Sequence, residues 1–206
     1  MNRGARLILV RHGETEGESS IRYHGRTDVA LSELGRAQMR LAGRAIETRH
    51  GAKHFARVFS SPLVRASEGA RIVAGDSAPL FTIDEFAEVH FGLFEGLTAD
   101  EIRARYPDEF ARWNADRLAP TYTYPAGESR ADFTNRVERG LERMLTLWTP
   151  RDDDALLVAH RGVIRAIVRK LTRQEPIVEL GSIHILRFDG IWHAEKIDLI
   201  DHLSDA

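Results

Sequence analysis

The 206-residue chain contains no cysteine. That absence excludes disulfides, thiolate zinc sites and every cysteine-nucleophile mechanism, the cysteine-based phosphatases among them. Lysine is nearly missing too: only Lys53, Lys170 and Lys196 stand beside 26 arginines. The basic charge is therefore guanidinium, a fork suited to oxyanions, although most of these arginines are expected on a solvated surface. No apolar run is long enough to cross a membrane, and the run before Arg11 is too short for a signal-peptide core. The expectation is a cytoplasmic protein with no membrane partner. With 29 basic against 31 acidic residues there is no global pull toward nucleic acid, so any cationic site must be local. Internal repeats, low-complexity stretches and linkers are also missing, and a single domain is expected over residues 1–206.

What is there is an alternation of short apolar runs with helical periodicity, which predicts an α/β fold. The runs Arg6–Val10, Arg57–Phe59, Leu80–Ile83 and Ala155–Ala159 read as strands. Ser32 is a good N-cap for a helix with an apolar face of Leu34, Leu41, Ala42, Ala45 and Ile46, ending before Gly51. A second helix is expected at Ser61-Pro62, serine capping and proline in the first turn. Thr98-Ala99-Asp100-Glu101 has capping-box spacing and a break follows at Tyr106-Pro107. Pro120–Gly127 reads as a loop. Ser129 opens the longest helix, with Phe133, Val137, Leu141, Leu145 and Trp148 as core. Val163, Ile164, Ile167, Val168 and Leu171 mark another helix, and Asp189-Gly190 reads as a two-residue turn between Ile183–Phe188 and Ile191–Ile197.

Chemistry-bearing residues fall where strands stop and helices start. Arg11-His12-Gly13 follows the first strand, at the carboxyl edge of the expected sheet, where open α/β folds bind ligands. A histidine there can act as a nucleophile and its neighbouring arginine can hold the anion it attacks. Arg65 falls in a first helical turn, where free backbone N–H groups favour phosphate. Glu88 lies close to Phe91, Leu93 and Phe94, and apolar neighbours suit a carboxyl group to general-acid work by raising its pKa. His160 repeats the arrangement of His12: strand, histidine, helix start.

The blocks LILVRHGETE, RTDVALSELGRAQ, SSPLVRA, EVHFGLFEG, AGES and LVAHRGVIR stand in an order that resembles the histidine phosphatase superfamily, in the branch of cofactor-dependent phosphoglycerate mutases and related phosphatases. The resemblance covers about residues 6–165. It implies a phosphoglycerate mutase-like, three-layer α/β/α sandwich with a mostly parallel central sheet and a C-terminal β-hairpin. It makes His12 the nucleophile that becomes phosphohistidine, Arg11 and Arg65 the ligands of the phosphoryl oxygens, and His160 the completion of that pocket. Glu88 becomes the proton donor to the leaving alcohol and then the base that activates water. Two arginine forks and a second histidine can neutralise phosphoryl charge without a metal, and no cofactor is expected. His12 must then be uncharged, its protonation disfavoured by Arg11 and Arg65 and its other ring nitrogen fixed by a backbone acceptor. Glu88 must begin protonated, which predicts a bell-shaped pH dependence of turnover.

Arg22–Asp28 is similar to a segment of the α-ribazole phosphatases, and substrate contacts are expected at Thr15, Arg22, His24 and Gly25. Two positions depart from the family pattern. Glu18 stands where asparagine is common and is expected to face solvent, because an unpaired buried carboxylate is costly. Arg161 stands where a small residue is usual, and either adds a cation to the site rim or points away. His50 and His54 straddle Gly51 and do not read as a metal pair; His90, His184, His193 and His202 read as structural or solvated. Trp113, Tyr122 and Tyr124 either pack in the core or line a lid. The expected activity is hydrolysis of a small phosphorylated metabolite, α-ribazole 5′-phosphate being one candidate. The alternatives are a phosphoglycerate mutase, disfavoured because Gly96 leads almost directly into the Thr98 helix with no shielding insertion, and a non-catalytic phosphate-binding module. The partner is a small substrate, not nucleic acid, and the protein a monomer or homodimer.

Overall fold

The computed structural model describes residues 4–17, 20–51, 54–75, 78–150 and 153–205. The first apolar run forms β1 (Ala5–Arg11), and it is continuous because the strand is covered on both faces. β1 pairs in parallel with β4 (Ala155–Ala159) and antiparallel with β5 (Ile183–Phe188). With β2 (Arg57–Ser60), β3 (Leu80–Thr82) and β6 (Trp192–Leu199) the six-stranded sheet runs β3-β2-β4-β1-β5-β6. Its first four members are parallel, and β5 and β6 form the C-terminal hairpin. Successive residues of β1 serve opposite faces: Ile8 and Val10 pack with α1 (Glu33–His50) and α2 (Val64–Ala74), through Met39, Ile46 and Ala66 among others. Leu7 and Leu9 pack with the layer made by α3 (Ala99–Arg105), α4 (Pro107–Asp116), α5 (Arg130–Leu147) and α6 (Arg161–Thr172). The result is the expected three-layer α/β/α sandwich.

Local signals held where the side chain reaches the backbone N–H of its own first turn. Ser32 accepts from Gly35 N–H, Ser129 from Asp132 N–H, and Thr98 with Glu101 forms a reciprocal capping box. They failed where a distant group took over. α2 starts at Val64 rather than at Ser61-Pro62, since the Val64 N–H is satisfied by the Asp28 carboxylate while Ser61 Oγ is engaged by His160. Leu34, assigned to the core face of α1, is 49% exposed. Gly35 occupies that side instead, its Cα pressed so close to the Glu14 backbone that no side chain fits, and Met39 fills the core. The hairpin turn is one residue longer than expected, with Phe188 paired to Trp192 across Asp189, Gly190 and Ile191.

Candidate active site

β1 and β4 are adjacent and parallel, so the residues that follow them emerge side by side at the carboxyl edge of the sheet. His12 N–H bonds to Ala159 O at 3.0 Å, and the His12 and His160 rings meet edge to face with centroids 5.1 Å apart. Both rings are buried. His12 Nδ1 lies 2.8 Å from Gly13 O. A carbonyl oxygen only accepts, so Nδ1 carries the proton and Nε2 presents its lone pair, toward which Arg65 Nε–H points at 3.3 Å. Burial holds the His12 pKa well below the usual histidine value, and the Arg65 and Arg11 charges push it further down. The sequence anticipated the arginines; the larger cause is burial.

Arg65 is 1% exposed, which a lone arginine tolerates only with its donors satisfied. Its Nη1 donates to Thr27 O at 2.8 Å and its Nη2 to His24 O and Gly25 O, both at 2.7 Å. Arg65 was expected to give its fork to phosphate, whereas both terminal nitrogens brace the 24–27 loop and Nε alone reaches His12. Gly25 is required there: a Cβ would collide with Val89 O and Glu95 Oε1 and stand 2.7 Å from the Phe91 ring. Glu95 ties the same loop, accepting from the N–H groups of Phe91, Arg26 and Thr27.

Arg11 donates from Nη1 to Val178 O at 3.0 Å, and its buried Nε has no partner among the described residues. Burial and the nearby Arg161 charge lower its pKa to about 10. His160 Nε2 sits 2.7 Å from Ser61 Oγ, its buried Nδ1 has no partner among the described residues, and burial, reinforced by Arg65, holds its pKa well below normal. Glu88 is nearly buried, with Oε1 accepting from Val89 N–H at 2.9 Å and Oε2 from Gly162 N–H at 3.0 Å. Both oxygens thus accept from main-chain donors. Of its expected apolar neighbours, Phe91 shares the pocket, while Leu93 is 40% exposed and Phe94 lies in the core.

Arg11, His12, Arg65 and Glu88 line one cavity of about 420 Å³, with Arg22, Tyr23, His24, Phe91, Arg161 and Glu179 among its other walls. Arg161 therefore belongs to the rim, its Nε donating to Ile177 O at 3.2 Å. Arg22 donates to Gly96 O and Glu101, joining the cavity wall to the N-terminus of α3. Thr15, Gly25 and His160 are not on the cavity wall: Thr15 is buried with Oγ1 3.3 Å from His24 Nδ1, Gly25 serves the loop packing just described, and His160 is fully buried against the His12 ring. Glu18 and the side chain of His50 lie outside the described residues, and His54 is exposed. Trp113 and Tyr124 are buried in the core and Tyr122 packs against it. Among the described residues no cluster with metal-binding composition occurs, and no helix is long and apolar enough to cross a membrane.

Sequence reading missed Ser61, which holds His160, and Arg136, whose fork grips Glu128 and whose Nη1 donates to Glu85 O and Ala87 O just ahead of Glu88. It also missed Glu179, in the segment before β5. None carries a local signal, since each works across tens of residues.

A family model described as histidine phosphatase superfamily, branch 1, matches residues 7–190. A bifunctional protein of Mycobacterium tuberculosis is 36% identical over 166 residues, which are 80% of this chain and 43% of that protein, so the chain spans less than half the length of this relative. A mycobacterial glucosyl-3-phosphoglycerate phosphatase, solved with VO3, superposes with a TM-score of 0.77 at 29% identity, covering 95% of this chain and 100% of the other. The α-ribazole phosphatase of Shigella flexneri shares the fold, with a TM-score of 0.80 at 23% identity over 94% and 96% of the two chains.

Proposed function

The chain belongs to the histidine phosphatase superfamily, branch 1, and from that premise we propose that it hydrolyses phosphomonoesters through a phosphohistidine on His12. The observation that carries this reading is the placement of the His12 ring: Nδ1 bonded to Gly13 O, and Nε2 turned to Arg65 Nε–H in a cavity shared with Glu88. Nε2 attacks phosphorus, the N–P bond forms as the ester P–O bond breaks, and Glu88 gives its proton to the departing alkoxide. Glu88 then takes a proton from water as the water oxygen attacks the phosphohistidine, and inorganic phosphate leaves. The unpartnered Nε of Arg11, the Nε–H of Arg65 and Nδ1 of His160 are the donors that the phosphoryl oxygens take up. In this reading Ser61, which accepts from Leu63 N–H, gives its hydroxyl proton to His160 Nε2, so that His160 carries its own proton on Nδ1. The Arg11 and Arg65 guanidinium groups supply the neutralisation that phosphoryl transfer needs, so the step runs without a metal.

The leaving alcohol faces Tyr23 and Phe91, whose rings meet edge to face at 5.2 Å, between Arg22, His24 and Arg161. That wall suits a metabolite with both apolar and polar surface, and α-ribazole 5′-phosphate and glucosyl-3-phosphoglycerate are the first two to try. Hydrolysis over phosphoryl return is favoured by the short path from Gly96 to the Thr98 cap, which leaves no insertion to shield the phosphoenzyme. The test is hydrolysis of p-nitrophenyl phosphate in chelator by wild type and by His12→Ala, followed by the two metabolites and by 3-phosphoglycerate with a bisphosphate primer. Wild-type hydrolysis lost in the variant is expected. An inactive wild type overturns the enzyme reading, and turnover of the primed 3-phosphoglycerate as the dominant activity makes the protein a mutase.

A further inference from the structure

The two arginines at the cavity wall that most need aiming, Arg11 and Arg161, are aimed by a single dipeptide. Arg11 Nη1 donates to Val178 O at 3.0 Å, and Arg161 Nε to Ile177 O at 3.2 Å. The two N–H groups of the same dipeptide are taken by one carboxylate: Ile177 N–H by Asp198 Oδ2 and Val178 N–H by Asp198 Oδ1, both at 2.9 Å. Ile177-Val178 is therefore held between an anion on β6 and two cations at the phosphate pocket, every backbone polar group of the pair in use. The arrangement is bought with strain. Val178 has φ +61°, a left-handed conformation that a β-branched residue takes only when its surroundings impose it, and its side chain is fully buried. Asp198 itself has φ +55°.

The segment is also stitched to the nucleophile. Gly181 N–H donates to His12 O and Arg11 N–H to Ser182 O, while Glu179 and Leu180 line the cavity. We propose that Asp198 is a positioning residue of the phosphate pocket, which holds Ile177-Val178 in its strained turn and so orients Arg11 and Arg161 toward the oxyanion. Hydrogen bonds in series polarise one another, so a carboxylate on the N–H side strengthens the carbonyl side that the guanidinium groups use. Asp198 touches no substrate; it works through two peptide groups.

This inference rests on the proposed phosphate chemistry, and the experiment separates the two. Affinity for inorganic phosphate is measured by calorimetry, and p-nitrophenyl phosphate hydrolysis alongside it, for wild type, Asp198→Asn, Asp198→Ala and the double variant Val178→Gly/Asp198→Ala. Thermal unfolding checks that each is folded. Asp198→Ala is expected to weaken phosphate about tenfold, the scale of one hydrogen bond to a charged group. Asp198→Asn, with one acceptor oxygen, falls between. Glycine adopts the left-handed conformation freely, so Val178→Gly restores a large part of the phosphate affinity lost in Asp198→Ala while leaving any packing defect unrepaired. Unchanged phosphate affinity in folded Asp198→Ala and Asp198→Asn overturns the proposal, as does a double variant no better than Asp198→Ala. If wild type binds phosphate in an Asp198-dependent way but hydrolyses no ester, the positioning role stands and the hydrolase reading falls.

Discussion

Replacing Arg136 with alanine tests whether Glu88 is held in place from outside the site. Arg136 donates Nε to Glu128 Oε1 at 2.9 Å and Nη2 to Glu128 Oε2 at 2.8 Å, a two-pronged ion pair whose side chains are 12% and 11% exposed. Its Nη1 donates to Glu85 O and Ala87 O, and Nη2 reaches Glu88 O at 3.4 Å. Truncation leaves a nearly buried carboxylate with only the long Arg26 contact at 3.9 Å and the His90 N–H at 3.3 Å, and three carbonyls without their donor. Removing one partner of a buried pair costs about 3–5 kcal/mol; residual water access brings the expectation to roughly 2–4 kcal/mol. For a chain of this length that lowers Tm by on the order of 10 °C. The catalytic effect is separable from the stability effect. A displacement of Glu88 by ~1 Å costs about 100-fold in turnover, and the loss should be concentrated on alkyl esters, whose leaving groups need the proton. Aryl phosphates, which depart unaided, should lose much less. Circular dichroism melts and paired kinetics on p-nitrophenyl and glycerol phosphates, with Glu128→Ala and the double variant to close a cycle, measure both. A melt within 2 °C of wild type together with an unchanged alkyl-to-aryl rate ratio refutes the reasoning.

Acid should destabilise the fold before it protonates the carboxylates. His12 and His160 are held well below the ordinary histidine value by burial, His24 is lowered, and His184 is lowered to about 4. From about pH 6.5 downward the unfolded chain binds protons that the folded chain refuses, so Tm should fall progressively between pH 6.5 and 4, and a flat Tm over that window contradicts the burial argument. The same depression places the acid limb of the pH–rate profile, set by His12, below pH 6.5. Gly162→Ala places a Cβ 2.5 Å from Glu88 Oε1 and 2.9 Å from the Phe133 ring. It should cut alkyl-ester turnover about 100-fold while leaving inorganic phosphate affinity near wild type; an equal loss of both would show that the whole pocket had moved.

The parts of the fold legible in the sequence are those in which a residue acts on its own neighbourhood. Ser32, Thr98 and Ser129 cap the helices they begin, and the apolar runs of β1 and β4 are continuous because both faces are covered. The site was legible for a related reason. His12 and His160 each follow a strand, and two adjacent parallel strands bring such residues together whatever lies between them in sequence. What the sequence did not disclose is long-range. Asp28 caps α2 from 36 residues away, Arg136 looks like any helical arginine until Glu128 and the Glu85–Glu88 carbonyls are placed around it, and the left-handed Val178 belongs to a residue type that never advertises it. Thr15 and Gly25, expected at the substrate, lie off the cavity wall, against His24 and at an Arg65 acceptor, because a motif records which residues a pocket needs without recording which of them face inward.

Arg65 carries that distinction furthest. Its place in the first turn of α2 marked it as a phosphate ligand, and its Nε does point at His12 Nε2. Yet three of its bonds are spent on Thr27, His24 and Gly25 carbonyls. A guanidinium free to rotate would have to be immobilised when substrate binds; one already fixed by its surroundings stabilises developing charge without reorganising. The same economy recurs at Arg11 through Val178 O, at His12 through Gly13 O and at Glu88 through two backbone N–H groups. These four groups meet the cavity with their far sides tied to main chain, so their geometry is set by the path of the backbone. That is why substitutions at Gly25, Gly162 or Val178, which carry no chemistry, are expected to act on the reaction as directly as changes to the side chains that do.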